Sequence, residues 1–433
     1  MGFTPLSSSQ FSAVVTTQAN SMKSAILIVG AGIVGISCAA RLAEAGHDVT
    51  VIDRTGICEE TSSGNAAALA FSDILPLAQK GMIRQVPRWL ADPLGPLSIP
   101  PAYLPNLAPW LWRFWRAGQA ANHEQSVAAQ ANLMKLAEAE WRLVMERSGT
   151  RHMLREDGCL ELYESEAEWQ ASLSGWQARG RFGIDFRHVR GTELAELQPG
   201  LSKQFVFGTF VPGWKTVADP KLLGKAIWRH AEANGARFVQ GEVVATGSTA
   251  AGSTVGLKDG RRLEAGQLVI CAGAWSHRLA RNFGDRIPLE TERGYNTTLP
   301  AGAFDVKRQL VFSRHGFVVT PLETGLRVGG AVEFAGLDRP PNYARSKAML
   351  EKTSRFLPGL KTEGGREWMG YRPSLPDTIP VIGRSSRTSN VIYAFGHGHL
   401  GLTQSAATAR LVCDLVTGNT PAIDLAPYSP DRF

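Results

Sequence analysis

Three glycines, Gly30, Gly32 and Gly35 in the run G-A-G-I-V-G, have the spacing by which a main chain can cradle a diphosphate. Gly30 permits a tight turn, Gly32 leaves room for pyrophosphate beside the backbone, and Gly35 lets a following helix lie close on the preceding strand. Ala31, Ile33 and Val34 complete the run, and the N–H groups of a helix starting there would face the phosphates with a partial positive charge. Asp53, eighteen residues beyond Gly35, offers a carboxylate to ribose hydroxyls, with Arg54 beside it. A second glycine-rich run, F-G-H-G-H-L-G-L-T, carries Gly396, His397, Gly398, His399, Leu400, Gly401, Leu402 and Thr403. It could bring backbone to the edge of a planar ligand, or simply join a strand to a helix. Its two imidazoles either bond such a ligand or bond a local carbonyl.

These residues need particular elements to place them. The segment A-I-L-I-V-G from Ala25 is short, apolar and β-branched, the mark of a strand buried on both faces of a parallel sheet. Helix formers run from Ile33 to Ala45, Gly46 stops them, and D-V-T-V-I-D predicts a second buried strand ending at Asp53. F-V-Q-G-E-V-V-A-T-G, then L-V-I-C-A-G-A-W ending at Trp275, and N-V-I-Y-A-F-G-H-G from Asn390 read as further pieces of the same sheet. A helix is expected from about Leu402 to Val416, a long amphipathic helix over 121–147, and antiparallel strands over 285–335. The fold class is therefore α/β, a Rossmann-like dinucleotide-binding domain with an inserted α+β domain on an antiparallel sheet. The cofactor domain is expected in three pieces, 23–90, 200–282 and 365–420, with the substrate domain at 91–199 and 283–364 and a tail at 421–433.

Composition excludes several classes. At 433 residues and 44% hydrophobic content the chain can bury a large core, and length argues for more than one domain. A net charge of +7 is spread without a basic stripe, so nucleic acid is not a partner. The five cysteines, Cys38, Cys58, Cys159, Cys271 and Cys413, stand apart in sequence with no C-x-x-C pair. Neither zinc nor a redox dithiol is expected, no metal is assigned, and a reducing, cytoplasmic setting is the simplest reading. Nothing approaches the roughly 18 to 20 apolar residues of a membrane span. Residues 1–22 hold no charged residue and lack the n- and h-regions of a secretory signal, so they read as a disordered leader. Trp89, Trp110, Trp112 and Trp115 fall among Arg84, Arg88, Arg113 and Arg116 in a Pro-rich stretch. That mixture makes either a wall of the substrate domain or a peripheral contact with the inner face of a membrane.

Four segments together resemble the D-amino acid oxidase (DAO) superfamily of FAD enzymes, especially its bacterial D-amino acid dehydrogenase and hydroxyproline dehydrogenase branch. E-T-S-S-G-N-A-A, with Thr61, Ser62, Ser63, Gly64, Asn65 and Ala66, is similar to the family loop running from the pyrophosphate to the flavin ring. V-I-C-A-G-A-W, with Cys271, Ala272, Gly273 and Trp275, resembles the strand and turn near the dinucleotide, and Val243 and Val244 the strand that meets adenine. G-Y-R-P-S-L-P-D-T-I-P-V-I-G is similar to the family's Arg-bearing substrate strand, and the run from Phe395 to its closing loop under the isoalloxazine. The likeness extends from about residue 24 to 418.

The resemblance implies FAD as cofactor and oxidation of the amine-bearing carbon of a small D-amino acid or cyclic imino acid, by hydride transfer to flavin N5. It assigns Arg372 to the substrate carboxylate, whose two oxygens a guanidinium fork can take in one plane; taken alone, the residue would read as a surface charge. Tyr295, His315 and His399 are candidates for contact with substrate, and Tyr295 and His315 would otherwise complete the core. Oxidation of glycine, sarcosine or another secondary amine, and a non-catalytic flavin-binding subunit of a larger complex, are the competing readings. The electron acceptor, whether quinone, electron-transfer protein or oxygen, is left open.

Overall fold

The structure is a computed structural model that describes residues 25–79 and 95–433. The leader and the calls on Arg84, Arg88 and Trp89 lie outside the described residues. The apolar run at the start of the described chain forms β1 (Ala25–Val29), followed by α1 (Ile33–Glu44) and β2 (Asp48–Asp53). Gly46, at φ +86°, takes the left-handed turn after α1 that a side chain would resist. β1 is the middle of a six-stranded sheet whose order is Arg237–Gln240, β2, β1, Gln267–Ile270, Val391–Phe395, Val381–Arg384. The first five strands are parallel and only the last is antiparallel. Ile26, Ile28, Val49 and Val51 on this sheet and Ile36 and Leu42 on α1 are at most 1% exposed, and burial of such side chains contributes about 1.5–3 kcal/mol each. α1 is enclosed because the helices Pro220–Ala233 and Gly401–Thr417 pack along it.

One strand expectation is corrected. F-V-Q-G-E-V-V-A-T-G divides: Arg237–Gln240 joins the parallel sheet, whereas Val243–Thr249 opens a separate three-stranded antiparallel sheet. Gly241 makes the break, its N–H donating to the Asp53 carbonyl at 2.8 Å.

The second large layer is a nine-stranded sheet that runs through Arg366–Ser374, Glu290–Leu299, Gly325–Phe334, Phe317–Leu322, Gln309–Phe312, Cys159–Tyr163, Phe207–Val211 and Arg187–Arg190, with Leu97–Ser98 paired to Gly325–Phe334. Phe207–Val211 and Arg366–Ser374 therefore correct the expected boundaries, since both were assigned by sequence to the cofactor pieces. Alternation along the strands gives this sheet two unlike faces. Tyr295, Leu299, Leu310, Val319 and Val328 turn into a buried core with Met349 and Phe356 of the helix Ala344–Phe356. Asn296, Gln309, Thr320 and Arg327 turn the other way, onto the backbone of Ser63–Ala66. That second face roofs the cofactor sheet.

Candidate functional site

A cleft of about 420 Å³ opens at the C-terminal ends of the parallel strands, where open α/β sheets bind ligands, and its volume lies within the roughly 300–1,000 Å³ usual for cofactor sites. It begins at Gly241, Val243 and Val244, passes the turn from Gly30 to Val34, and ends at Tyr371, Pro373, His397, Gly398, Gly401 and Leu402. The three glycines of the fingerprint stand at the turn between β1 and α1 and in the first turn of α1. Gly30 sits at φ +108°, and a Cβ there would strike the Cys271 carbonyl; a Cβ on Gly35 would overlap the Gly30 carbonyl oxygen. Gly32 differs, because a Cβ there would meet only the Ser62 hydroxyl, at 3.2 Å, and would otherwise protrude into the cleft. That vacancy beside the start of a helix is a fit for pyrophosphate.

The carboxylate of Asp53 is fixed by the Ala31 N–H at 2.8 Å and the Thr55 N–H at 2.8 Å. Arg54 is held by Glu60 through Nε at 2.7 Å and Nη2 at 2.8 Å, and its guanidinium lies 4.0 Å from the centre of the Trp275 ring. Trp275 in turn meets Tyr371 edge-on at 5.3 Å, so a continuous wall links the two ends of the cleft. At the far end a bulge takes Val244 out of the ladder, leaving it 55% exposed in the cleft wall. Cys271 lies at the base, where its thiol meets that of Cys38. Two cysteines that sequence kept apart are thus neighbours, and burial together with this contact holds the Cys38 thiol protonated.

The other end of the cleft is made by the turn after Val391–Phe395. Gly396 at φ +88° and Gly398 at φ +54° bend the chain, and the Gly398 N–H donates to the Pro373 carbonyl at 2.9 Å, tying the turn to the roof strand. The helix Gly401–Thr417 then starts at the cleft with no acidic residue in its first turn. His397 lines the cleft with Nε2 2.9 Å from the Thr408 hydroxyl, and burial lowers its pKa to about 3, so it is neutral.

Several expected contacts fall behind the cleft wall. Gly35, Ser63, Gly64, Ala66, Gly396 and Leu400 shape it from behind, and Thr403 is buried, accepting from the Ala70 N–H and donating to the Ala68 carbonyl. His399 turns outward to Asp73 at 3.1 Å. Tyr295 and His315 are corrections. Tyr295 is 1% exposed on the opposite face of the roof, where its hydroxyl donates to Glu333 and accepts from the Asn342 N–H. His315 lies beyond the sheet, 2.6 Å from Glu164 and against Phe356.

Arg372 does not line the cleft, although Tyr371 and Pro373 on either side of it do; the strand register puts it on the same face of the roof as Trp368 and Asn296. Its guanidinium lies across Gly294, where any Cβ would collide with it, and donates to the carbonyls of Ala331 at 2.9 Å and Gly330 at 3.4 Å. Burial lowers its pKa, opposed by the charge of Glu292, yet among the described residues it forms no ion pair. Sequence reasoning missed Trp368, Asn296 and Arg327. Trp368 packs where a Cβ of Gly64 would be, and the other two bond the loop at Ser63–Asn65. Only the pairing register, which sequence does not carry, brings them here. Among the described residues no helix is long and apolar enough to cross a membrane.

Residues 25–415 match the DAO family, described as FAD dependent oxidoreductase. A D-amino-acid oxidase of Bradyrhizobium diazoefficiens is 34% identical over 420 residues, 94% of this chain and 98% of that protein. A D-amino acid dehydrogenase of Rhizobium johnstonii is 30% identical over 418 residues, 94% and 99% of the two chains. Among solved structures, glycine oxidase from Geobacillus kaustophilus superposes with a TM-score of 0.73 at 22% identity, over 95% of this chain and 99% of that one. L-proline dehydrogenase from P. horikoshii gives 0.72 at 21% identity, over 95% and 98%. The two superpositions are likenesses of fold.

Proposed function

Because the chain belongs to the DAO family of FAD-dependent oxidoreductases, we propose that it oxidises the amine-bearing carbon of a small D-amino acid or cyclic imino acid, giving the imino acid. The observation that carries this reading is Arg372: a partly buried cation between the cleft residues Tyr371 and Pro373, bonded only to carbonyls among the described residues. A partly buried cation bonded only to carbonyls favours an anion beside it, and a carboxylate is the anion that a guanidinium fork fits. Tyr371 and Pro373, its neighbours in the strand, line the cleft and set where the carboxylate would sit.

The residues of Gly30–Val34 and Asp53 would hold the pyrophosphate and ribose, Val243 and Val244 the adenine, and Gly398–Leu402 the ring end. FAD, when bound there, supplies the hydride acceptor. The chain's own contribution is to fix the α-carbon through its carboxylate and to exclude water with the Trp275–Tyr371 wall. His397, neutral at physiological pH, adds no charge at the ring end. The D configuration is supported by the names of the curated relatives.

The test is anaerobic reduction of the yellow protein by D-alanine, D-proline, D-hydroxyproline, their L enantiomers, glycine and sarcosine, followed by peroxide measurement in air. D substrates are expected to bleach the flavin fastest. Arg372→Leu should keep its FAD while the second-order bleaching rate falls about 10²-fold or more, since losing one partner of an enclosed charge pair costs roughly 2–5 kcal/mol. Normal bleaching of that variant would remove the carboxylate assignment, and a preference for L substrates the stereochemical one.

A further inference from the structure

The loop that crosses the cleft carries an unusual hydrogen-bond pattern. Arg327 donates through Nη1 to the carbonyls of Ser63, at 3.4 Å, and Asn65, at 2.6 Å. Asn296 donates through Nδ2 to the Gly64 carbonyl at 2.8 Å, while Gln309 Nε2 and the Thr320 hydroxyl both donate to the Ala66 carbonyl at 3.1 Å. Four successive carbonyls are thus drawn up to one sheet. In a planar trans peptide the N–H points opposite to the C=O of the same unit. The N–H groups of Asn65 and Ala66 are therefore turned away from the roof; Asn65 itself lines the cleft with Thr61 and Ser62, and Ala66 stands directly behind it. Neither finds an acceptor among the described residues, whereas the next one, that of Ala67, is taken by Asn65 Oδ1 at 2.8 Å. Successive N–H groups presented together form an anion-binding nest.

Arg327 is the charged member of this clamp. It is 8% exposed and, among the described residues, forms no ion pair; its Nε is oriented by the Thr298 hydroxyl at 3.0 Å. Burial lowers its pKa to about 10, and Asp219 acts on it only as a distant charge. An enclosed guanidinium without a carboxylate is costly unless negative charge arrives nearby.

We propose that Arg327, with Asn296, Gln309 and Thr320, is the positioning device that aims the Asn65 and Ala66 N–H groups at the flavin and so stabilises the negative charge delivered to the ring. Preorganised donors of this kind act before the charge develops and need no rearrangement when it does. The inference rests on FAD in the cleft, and not on which amine is the substrate. Arg327 is accordingly a positioning residue: it acts through the peptide groups it holds.

Sulfite, which adds to electron-poor flavins whatever the substrate, is the probe, read by bleaching of the FAD-loaded protein alongside its midpoint potential. Arg327→Met is expected to keep FAD, to raise the sulfite dissociation constant at least tenfold and to lower the two-electron potential by the equivalent roughly 30 mV. Arg327→Lys, which keeps charge but can grip fewer carbonyls, should fall about threefold short of the wild type. A Met variant that holds FAD with both readings unchanged overturns the proposal. Should that variant fail to fold or load, Arg327→Lys and Thr298→Val carry the decision: weakened sulfite binding in both supports the clamp, and unchanged binding in both refutes it. Because the Arg327 variants are read with sulfite and potential, and the Arg372 variant with amino acids, loss of this proposal and loss of the D-amino acid assignment would be seen separately.

Discussion

Replacing Gly32 by Ala separates cofactor binding from folding, because the three fingerprint glycines fail for different physical reasons. Gly32 has φ −68° and ψ 174°, a conformation open to any residue. Its added Cβ meets only Ser62 Oγ at 3.2 Å, a side-chain atom that can give by a few tenths of an ångström. The apoprotein should therefore melt close to the wild type. The same methyl, however, stands where the pyrophosphate is proposed to approach the first amides of α1, and loss of one charge-assisted hydrogen bond costs about 1.5–3 kcal/mol, or roughly 10- to 150-fold in FAD affinity. Gly35→Ala is the contrasting variant: its Cβ overlaps the Gly30 carbonyl oxygen, a backbone atom that cannot turn aside. Pushing α1 off β1 should cost about 1–3 kcal/mol of stability or more, as well as the cofactor. Titration of each apoprotein with FAD, followed by flavin fluorescence, and apoprotein melting curves distinguish the two. If Gly32→Ala binds FAD as tightly as the wild type, the cleft does not hold the pyrophosphate there; if it melts as low as Gly35→Ala, the account of the two glycines is wrong.

The pH dependence of stability should carry the mark of His397. Its imidazole titrates at about 3 in the native protein against 6.5 ordinarily, so between those values the unfolded chain binds more protons and stability falls as pH falls. His397→Asn, compared with the wild type by denaturant unfolding from pH 6.5 down to 4, should reduce that slope by up to about 1.4 kcal/mol per pH unit; an unchanged slope would mean that the imidazole is not buried neutral, with His277, lowered to about 4, accounting for what remains. Tyr295→Phe and His315→Asn should leave the KM for the amino acid and the kcat of FAD-loaded protein within about twofold, while Tyr295→Phe loses roughly 1–3 kcal/mol of stability through the stranded Glu333. A large rise in KM for Tyr295→Phe would return that residue to the substrate site.

What sequence reveals about this protein divides along a physical line. The cradle is legible because its requirements are local: β1, the turn and α1 lie within twenty residues, and each glycine answers a clash that any such turn would create. The roof is legible as a set of strands and not as a surface. Tyr295 and Asn296 are adjacent, and in a strand adjacency means opposite faces. Residue type favours the phenol, whereas register, with the bulge between Arg293 and Tyr295, turns Asn296 to the loop and Tyr295 to the core. Arg327 is hidden for the same reason: its partner Asn65 is 262 positions away. Cys38 and Cys271 become neighbours only when α1 lies down on the sheet.

The roof also constrains how the two layers can move. Arg327, Asn296, Gln309 and Thr320 make five hydrogen bonds to the loop Ser63–Ala66. Thr61 adds two more, accepting from the Tyr371 N–H at 3.1 Å and donating to the Tyr371 carbonyl at 3.2 Å. At roughly 0.5–1.5 kcal/mol each, opening the seam as a hinge would forfeit several kcal/mol together, and would leave the Arg327 charge without its carbonyls. The seam joins Arg372, at one end of the Tyr371 mount, to the loop that lines the cleft. Hydride transfer tolerates little error in the distance between reacting atoms, about 3–3.5 Å at the start. On the proposed function, a seam that resists opening would let a carboxylate grip on one layer fix the height of an α-carbon above a ring held by the other.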